Sequence, residues 1–223
     1  RILYIILGCY MKSELINIDK DDFPVHFGQL KSTLLTNSAI DSGILCQECS
    51  LCCTGAIFTH ITISDSESTK LQKLNIKRKN DDIKMNLPCP YLEKGSCSVY
   101  DMRPKKCQTY TCILLDKVIC GEIVLIDAIK IVNVTKEQAK WLSSNVALLL
   151  KDEDIEMNLR IDLYTINKLF FSRLENDEKL IFSAFECQFC LCALDYLKGL
   201  SMYFNVSSLL VKYNNLVIKM QTN

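Results

Sequence analysis

The chain of 223 residues carries 26 basic and 26 acidic side chains, is 49% apolar and 9% aromatic, and contains only seven glycines and four prolines. Its length permits a sizeable core in one or two domains, its zero formal charge leaves no electrostatic footprint for nucleic acid, and its few glycines and prolines argue against a turn-rich β-sandwich or a collagen-like or disordered chain. Thirteen cysteines beside two histidines point to thiolate chemistry rather than histidine acid–base chemistry.

Residues 1–10, RILYIILGCY, precede the first methionine, Met11, and read as upstream residues outside the fold. The rival reading is a lipoprotein cleavage box at Ile6-Leu7-Gly8-Cys9. Residues 11–42 form a mixed N-terminal segment with a turn at Pro24. After the cysteine run CQECSLCC, Ala56–Ile63 predicts one short strand, and Ser64-x-x-Glu67 is a capping box that opens a helix through about Leu74. From Ile76 to Tyr110 only five of 35 residues are Leu, Ile, Val or Phe, too few to bury a core unaided. Lys77-Arg78-Lys79 within it reads as a solvated loop.

Beyond Cys112 prolines vanish and helical periodicity takes over. Thr135-x-x-Gln138 predicts the start of a helix that buries Ala139, Leu142, Val146 and Leu149. Leu163, Ile166, Phe170 and Leu174 make a second stripe. A third helix is predicted from about Glu178 to Lys198, closed by Gly199, and a fourth from Tyr203 to Tyr213. No stretch reaches the roughly 20 continuous apolar residues of a spanning helix.

Eight of the thirteen cysteines fall between Cys46 and Cys112. Cys46, Cys49, Cys52 and Cys53 form C-x-x-C-x-x-C-C, two overlapping units of a spacing that aims two sulfurs at one ion while intervening amides bond to sulfur. Cys89, Cys97, Cys107 and Cys112 follow in C-P-Y-L-x4-C-x9-C-x4-C. An odd cysteine total without an intact secretory signal predicts reduced thiols in a cytoplasmic, reducing compartment. Adjacent Cys52 and Cys53 point in different directions on most backbones, which predicts two sites or one multi-metal site. Ala56 stands where a bacterial ferredoxin loop carries its fourth ligand, so that fold is excluded. Zinc tolerates the spacing equally well, but the adjacent pair and overlapping units are closer to cluster loops, which favours an iron–sulfur cluster. Arg103 either balances thiolate charge or, with Pro104, marks a helix start.

The remaining candidates have plain readings. Cys187, Cys190 and Cys192 lie in an apolar helical segment and read as core; Cys9 and Cys120 are isolated. His26 and His60 read as structural or surface residues, and Trp141 as part of a helix's buried face.

The residues Cys46, Cys49, Cys52, Cys53, Cys89, Pro90, Leu92, Cys97, Tyr100, Arg103, Pro104, Cys107 and Cys112 resemble the pattern of the YkgJ-type cysteine-cluster proteins, the CxxCxxCC family proposed to chelate zinc or iron. Gly121-Glu122-Ile123 also resembles a stretch that follows the cluster in some members. The resemblance covers about residues 44–130 and implies metal binding through the eight cysteines. One relative, the flagellin lysine N-methylase, is similar only in the cysteine cluster, and nothing here reads as a glycine-rich S-adenosylmethionine loop.

The expected fold is mainly α. A metal-binding cysteine-cluster lobe over 43–115, irregular and with one or two short strands, is followed by a bundle of about four helices over 116–223. The expected function is metal binding, with an iron–sulfur cluster held by eight thiolates. The alternatives are a zinc-stabilised interaction module that recruits a protein partner through its helical half, and a lysine N-methylase-like enzyme. Neither nucleic acid nor a membrane span is expected.

Overall fold

The computed structural model describes residues 38–71, 76–79, 82–151, 154–155, 158–176 and 181–222. Residues 1–37, with Cys9, Pro24 and His26, lie outside the described residues, as do 72–75 at the end of the helix predicted through Leu74.

The cysteine-rich half opens on helix α1, Ser38–Cys49. It is followed by strand β1, His60–Ile63, and the short helix α2, Asp65–Lys70. Strands β2, Ile76–Lys79, and β3, Asp82–Asn86, come next, and then the two-residue strands β4, Leu92–Glu93, and β5, Ser96–Cys97. A one-turn 3-10 helix at Tyr100–Met102 leads into α3, Lys105–Thr109, and α4, Ile113–Ile119. Four long helices complete the fold: α5 Leu125–Asn145, α6 Leu159–Asn176, α7 Ala184–Phe204 and α8 Leu210–Thr222. Among the described residues no helix is long and apolar enough to cross a membrane.

The mainly α class holds, but the strand content was underestimated. Instead of one or two strands, β1, β3 and β2 form an antiparallel sheet in that order, and β4 and β5 form a small hairpin. The basic run Lys77-Arg78-Lys79 is thus not a loop. It lies on β2, paired with Lys84, Ile83 and Asp82 of β3. The first strand is shorter than its β-branched sequence suggests, for a specific reason. The carbonyls of Ala56, Ile57 and Phe58 accept hydrogen bonds from Tyr196 Oη (3.1 Å), Arg160 Nη1 (3.0 Å) and Asn158 Nδ2 (3.4 Å), all from the helical half. The described ladder bonding begins only at His60.

The capping box at Ser64 and Glu67 is present, with Ser64 N–H donating to Glu67 Oε2 at 2.7 Å. The one predicted at Thr135 is not. Helix α5 starts ten residues earlier, at Leu125, and Thr135 lies inside it, buried, with its hydroxyl donating to the Ile131 carbonyl at 2.8 Å. A threonine within an established helix bonds back to the preceding turn instead of capping a new one. The third helix begins not near Glu178 but at a capping box formed by Ser183 and Glu186. It passes through Gly199 and ends at Asn205, whose φ of 58° supplies the left-handed cap. The fourth starts at Leu210, and Tyr203 belongs to the third.

The predicted stripes face the core. Ala139, Leu142 and Val146 are buried with Leu149 half-buried, and Leu163, Ile166, Phe170 and Leu174 are all buried. One apolar core runs from Leu45 and Leu51 through Leu114 and Val132 to Phe189, Tyr213 and Leu216, so α1 and the last helices share it. Cys190 is fully buried in that core with Cys187 and Cys192 at its margin, and Trp141 packs against Phe189 at 6.0 Å between ring centroids. The three-stranded sheet has a separate, much smaller cluster of Ile63, Ile83 and Met85.

Candidate metal centre

Local backbone chemistry places the first cysteines. Cys46 and Cys49 lie in the last turn of α1, which ends where Ser50 turns left-handed at φ 49°. The chain then reverses tightly, with the amides of Cys53 and Thr54 donating to the Ser50 carbonyl at 2.9 and 3.0 Å. Thr54 Oγ1 donates to the Leu51 carbonyl, and Gly55 at φ 81° lets the chain leave the turn. Cys52 and Cys53 therefore sit on a fixed reversal.

The second group is tied to that reversal. The Cys89 amide donates to the Cys53 carbonyl at 2.7 Å. From Cys89 the chain turns into the β4–β5 hairpin, which sets Cys97 opposite Leu92 across a tip formed by Lys94 (φ 50°) and Gly95 (φ 83°). Cys107 lies on α3, whose first amide, Lys105 N–H, donates to Glu67 Oε1 at 2.6 Å. Cys112 caps the N-terminus of α4, its sulfur accepting from Leu115 N–H at 3.4 Å, and α4 packs on α1. All eight cysteines remain thiols.

The expected bonding of amides to sulfur is visible. Cys49 accepts from the Leu51 amide, Cys89 from those of Tyr91 and Leu92, and Cys112 from those of Leu114 and Leu115. Such donors favour the charged thiolate. Burial opposes them. It pushes the Cys49 thiol up to about 12, with Cys112 and Cys46 adding to the rise. Burial and then Cys89, Cys107 and Cys97 lift Cys53 to about 12, and burial with Cys89 and Cys97 lifts Cys107 to about 11. Cys52 is raised well above its ordinary value by burial and then by Cys49 and Cys53.

Each buried thiol thus penalises its neighbour's charge. A bound polyvalent cation inverts that relation and deprotonates coordinating thiols outright. The donor set is chemically suited to zinc or to iron–sulfur, both of which take thiolates. Among the described residues, no three Cys, His, Asp or Glu side chains already stand at the spacing of a single-ion coordination sphere. Cys46, Cys49, Cys52, Cys53 and Cys112 instead line a cavity of about 60 Å³ walled by Leu45, Leu51, Leu114, Leu115, Val132 and Phe204.

Residues 45–143 match the family model of the CxxCxxCC domain, described as a "putative zinc- or iron-chelating domain". Over those residues the chain is similar to the CxxCxxCC domain. The match runs beyond the cysteines to the last turn of α5, so the similarity takes in the first long helix of the helical half. No curated protein and no solved structure matches the chain.

Several residues around the cysteines carry no local signal. Lys136, on α5, is an electrostatic neighbour of Cys49 and donates to the Glu48 carbonyl at 2.9 Å. Tyr110 lines the cavity and donates to the Phe204 carbonyl at 3.0 Å, with its ring edge-on to Phe58. Arg103 precedes a helix start and is an electrostatic neighbour of Cys107. Pro104 caps the start of α3, while the guanidinium stacks on Tyr100 at 3.9 Å and opposes the rise at Cys107. His60 lies on β1 in contact with Thr59 at 2.9 Å, and Cys120 is exposed at the end of α4.

Proposed function

We propose that the eight cysteines Cys46, Cys49, Cys52, Cys53, Cys89, Cys97, Cys107 and Cys112 hold metal as thiolates, and that the metal is iron in an iron–sulfur centre. The observation that carries this reading is the apolar cavity at the end of α1, with five cysteines on its wall. A bridged cluster needs thiolates spread around a volume rather than drawn onto one ion, and apolar walls with amide-to-sulfur bonds are what tune its potential. Electron transfer or a cluster-dependent modification follows as the function.

The small apolar cluster under the three-stranded sheet favours a second reading. Three buried side chains among the described residues give that sheet little stability of its own, whereas a structural zinc ion supplies on the order of 10 kcal/mol. On that reading the thiolates hold zinc, and function resides in a protein partner of the helical half.

Anaerobic expression of the full chain, followed by measurement of iron, zinc, acid-labile sulfide and the visible spectrum, separates the two. Brown protein with iron and sulfide is the expected result. Colourless protein that holds stoichiometric zinc even after growth on iron-rich medium overturns the cluster and supports the zinc module.

A further inference from the structure

We infer that the eight thiolates divide into two four-thiolate sites, separated at the Cys52–Cys53 peptide bond: Cys46, Cys49, Cys52 and Cys112 in one, and Cys53, Cys89, Cys97 and Cys107 in the other. The inference rests on the metal-binding reading above and holds for either metal.

Backbone connections define the sets. Cys46 and Cys49 share the last turn of α1, Cys52 stands in the reversal that follows, and Cys112 arrives at the head of α4, which packs on α1. These four line one cavity, with Cys53 also on its wall. Backbone bonding ties Cys53 to the second group. Its carbonyl is bonded to the Cys89 amide, Cys89 leads into the hairpin that carries Cys97, and α3 brings Cys107.

Charge neighbours sort the same way except across the Cys52–Cys53 bond, where Cys53 is among the neighbours of Cys52. Those of Cys49 are Cys112 and Cys46, whereas those of Cys53 are led by Cys89, Cys107 and Cys97, and those of Cys107 by Cys89 and Cys97. Cys46 is a neighbour of both sets, and its place beside Cys49 in the last turn of α1 puts it in the first.

Each set also has its own cation. Four thiolates around a dication leave a net charge of about −2. Lys136 stands by Cys49 in the first set and Arg103 by Cys107 in the second. Adjacent residues point in different directions on most backbones, and this division gives each of the two its own centre.

The test uses the full chain, stripped of metal and titrated anaerobically with cobalt(II) against a competing chelator, so that a site reduced to three thiolates is not counted. Thiolate-to-cobalt absorbance is expected to saturate at two equivalents. Cys52→Ala and Cys53→Ala should each halve the amplitude, and the double variant should abolish it. Where either loses its helical circular dichroism, Cys49→Ala and Cys107→Ala replace them and sort in the same way. Saturation at one equivalent, or loss of all absorbance in a single variant, overturns the division in favour of one shared centre. Two equivalents retained in both single variants overturn the ligand assignment. No cobalt binding by the unaltered chain refutes the metal-binding reading itself.

Discussion

Gly55 stands at a position that admits no side chain. Its φ of 81° is left-handed, and a Cβ added there would lie 2.7 Å from Asn158 Nδ2, the group that donates to the carbonyls of Phe58 and Leu87. Gly55→Ala therefore combines backbone strain with loss of a buried amide's partners. A destabilisation of about 2–4 kcal/mol is expected from those two effects, read as a lowered urea midpoint. At this scale the cysteines were legible because C-x-x-C spacing is a local property. Tyr110, Asn158, Arg160 and Tyr196 were not, since each reaches a carbonyl 94 to 140 residues away. No window of sequence records such a bond.

Among the elements, α7 depends on its first turn. Burial alone would raise the Glu186 carboxyl, but the Arg173 guanidinium and the Ser183 donors outweigh it and hold the group below its ordinary value of 4.5. A depressed carboxylate contributes stability that is present above its unfolded value and lost as pH falls through the folded one. Thermal melts from pH 6 downward should show a decline starting near pH 4.5, and Glu186→Gln should flatten that limb while lowering the plateau. Helix α5 depends on its buried stripe. Leu142 is fully buried between α5 and the core, so Leu142→Ala should cost about 2–5 kcal/mol by chemical denaturation. Helix existence and buried faces were legible from spacing, whereas boundaries were not. Thr135 with Gln138 and Ser183 with Glu186 have the same local pattern, and only the chain already helical before Thr135 distinguishes them. The β2–β3 strands were missed because their sequence, rich in Lys, Arg and Asp, carries few of the apolar residues that mark a half-buried strand.

Across the whole molecule, apolar burial is uneven. The helical half and α1 share one continuous core, while the three-stranded sheet has Ile63, Ile83 and Met85. If thiolate–metal bonds supply what that sheet lacks, chelation should not melt the protein uniformly. Hydrogen exchange after metal removal is expected to speed at least tenfold in β1, β3 and the β4–β5 hairpin, while amides of α6 and α7 stay protected. Uniform loss of protection would show that the thiolate lobe and the helices unfold as one unit.

The three carbonyls held by Tyr196, Arg160 and Asn158 follow Cys53 by three to five positions. They make the end of the thiolate reversal and the flank of the helical half a single mechanical part. Linkage is reciprocal, so any factor by which displacing α6 or α7 changes metal affinity at the thiolates equals the factor by which metal changes the affinity for whatever displaces them. The clamp is thus the route by which metal loading at the reversal, as proposed above, would be felt in the helical half.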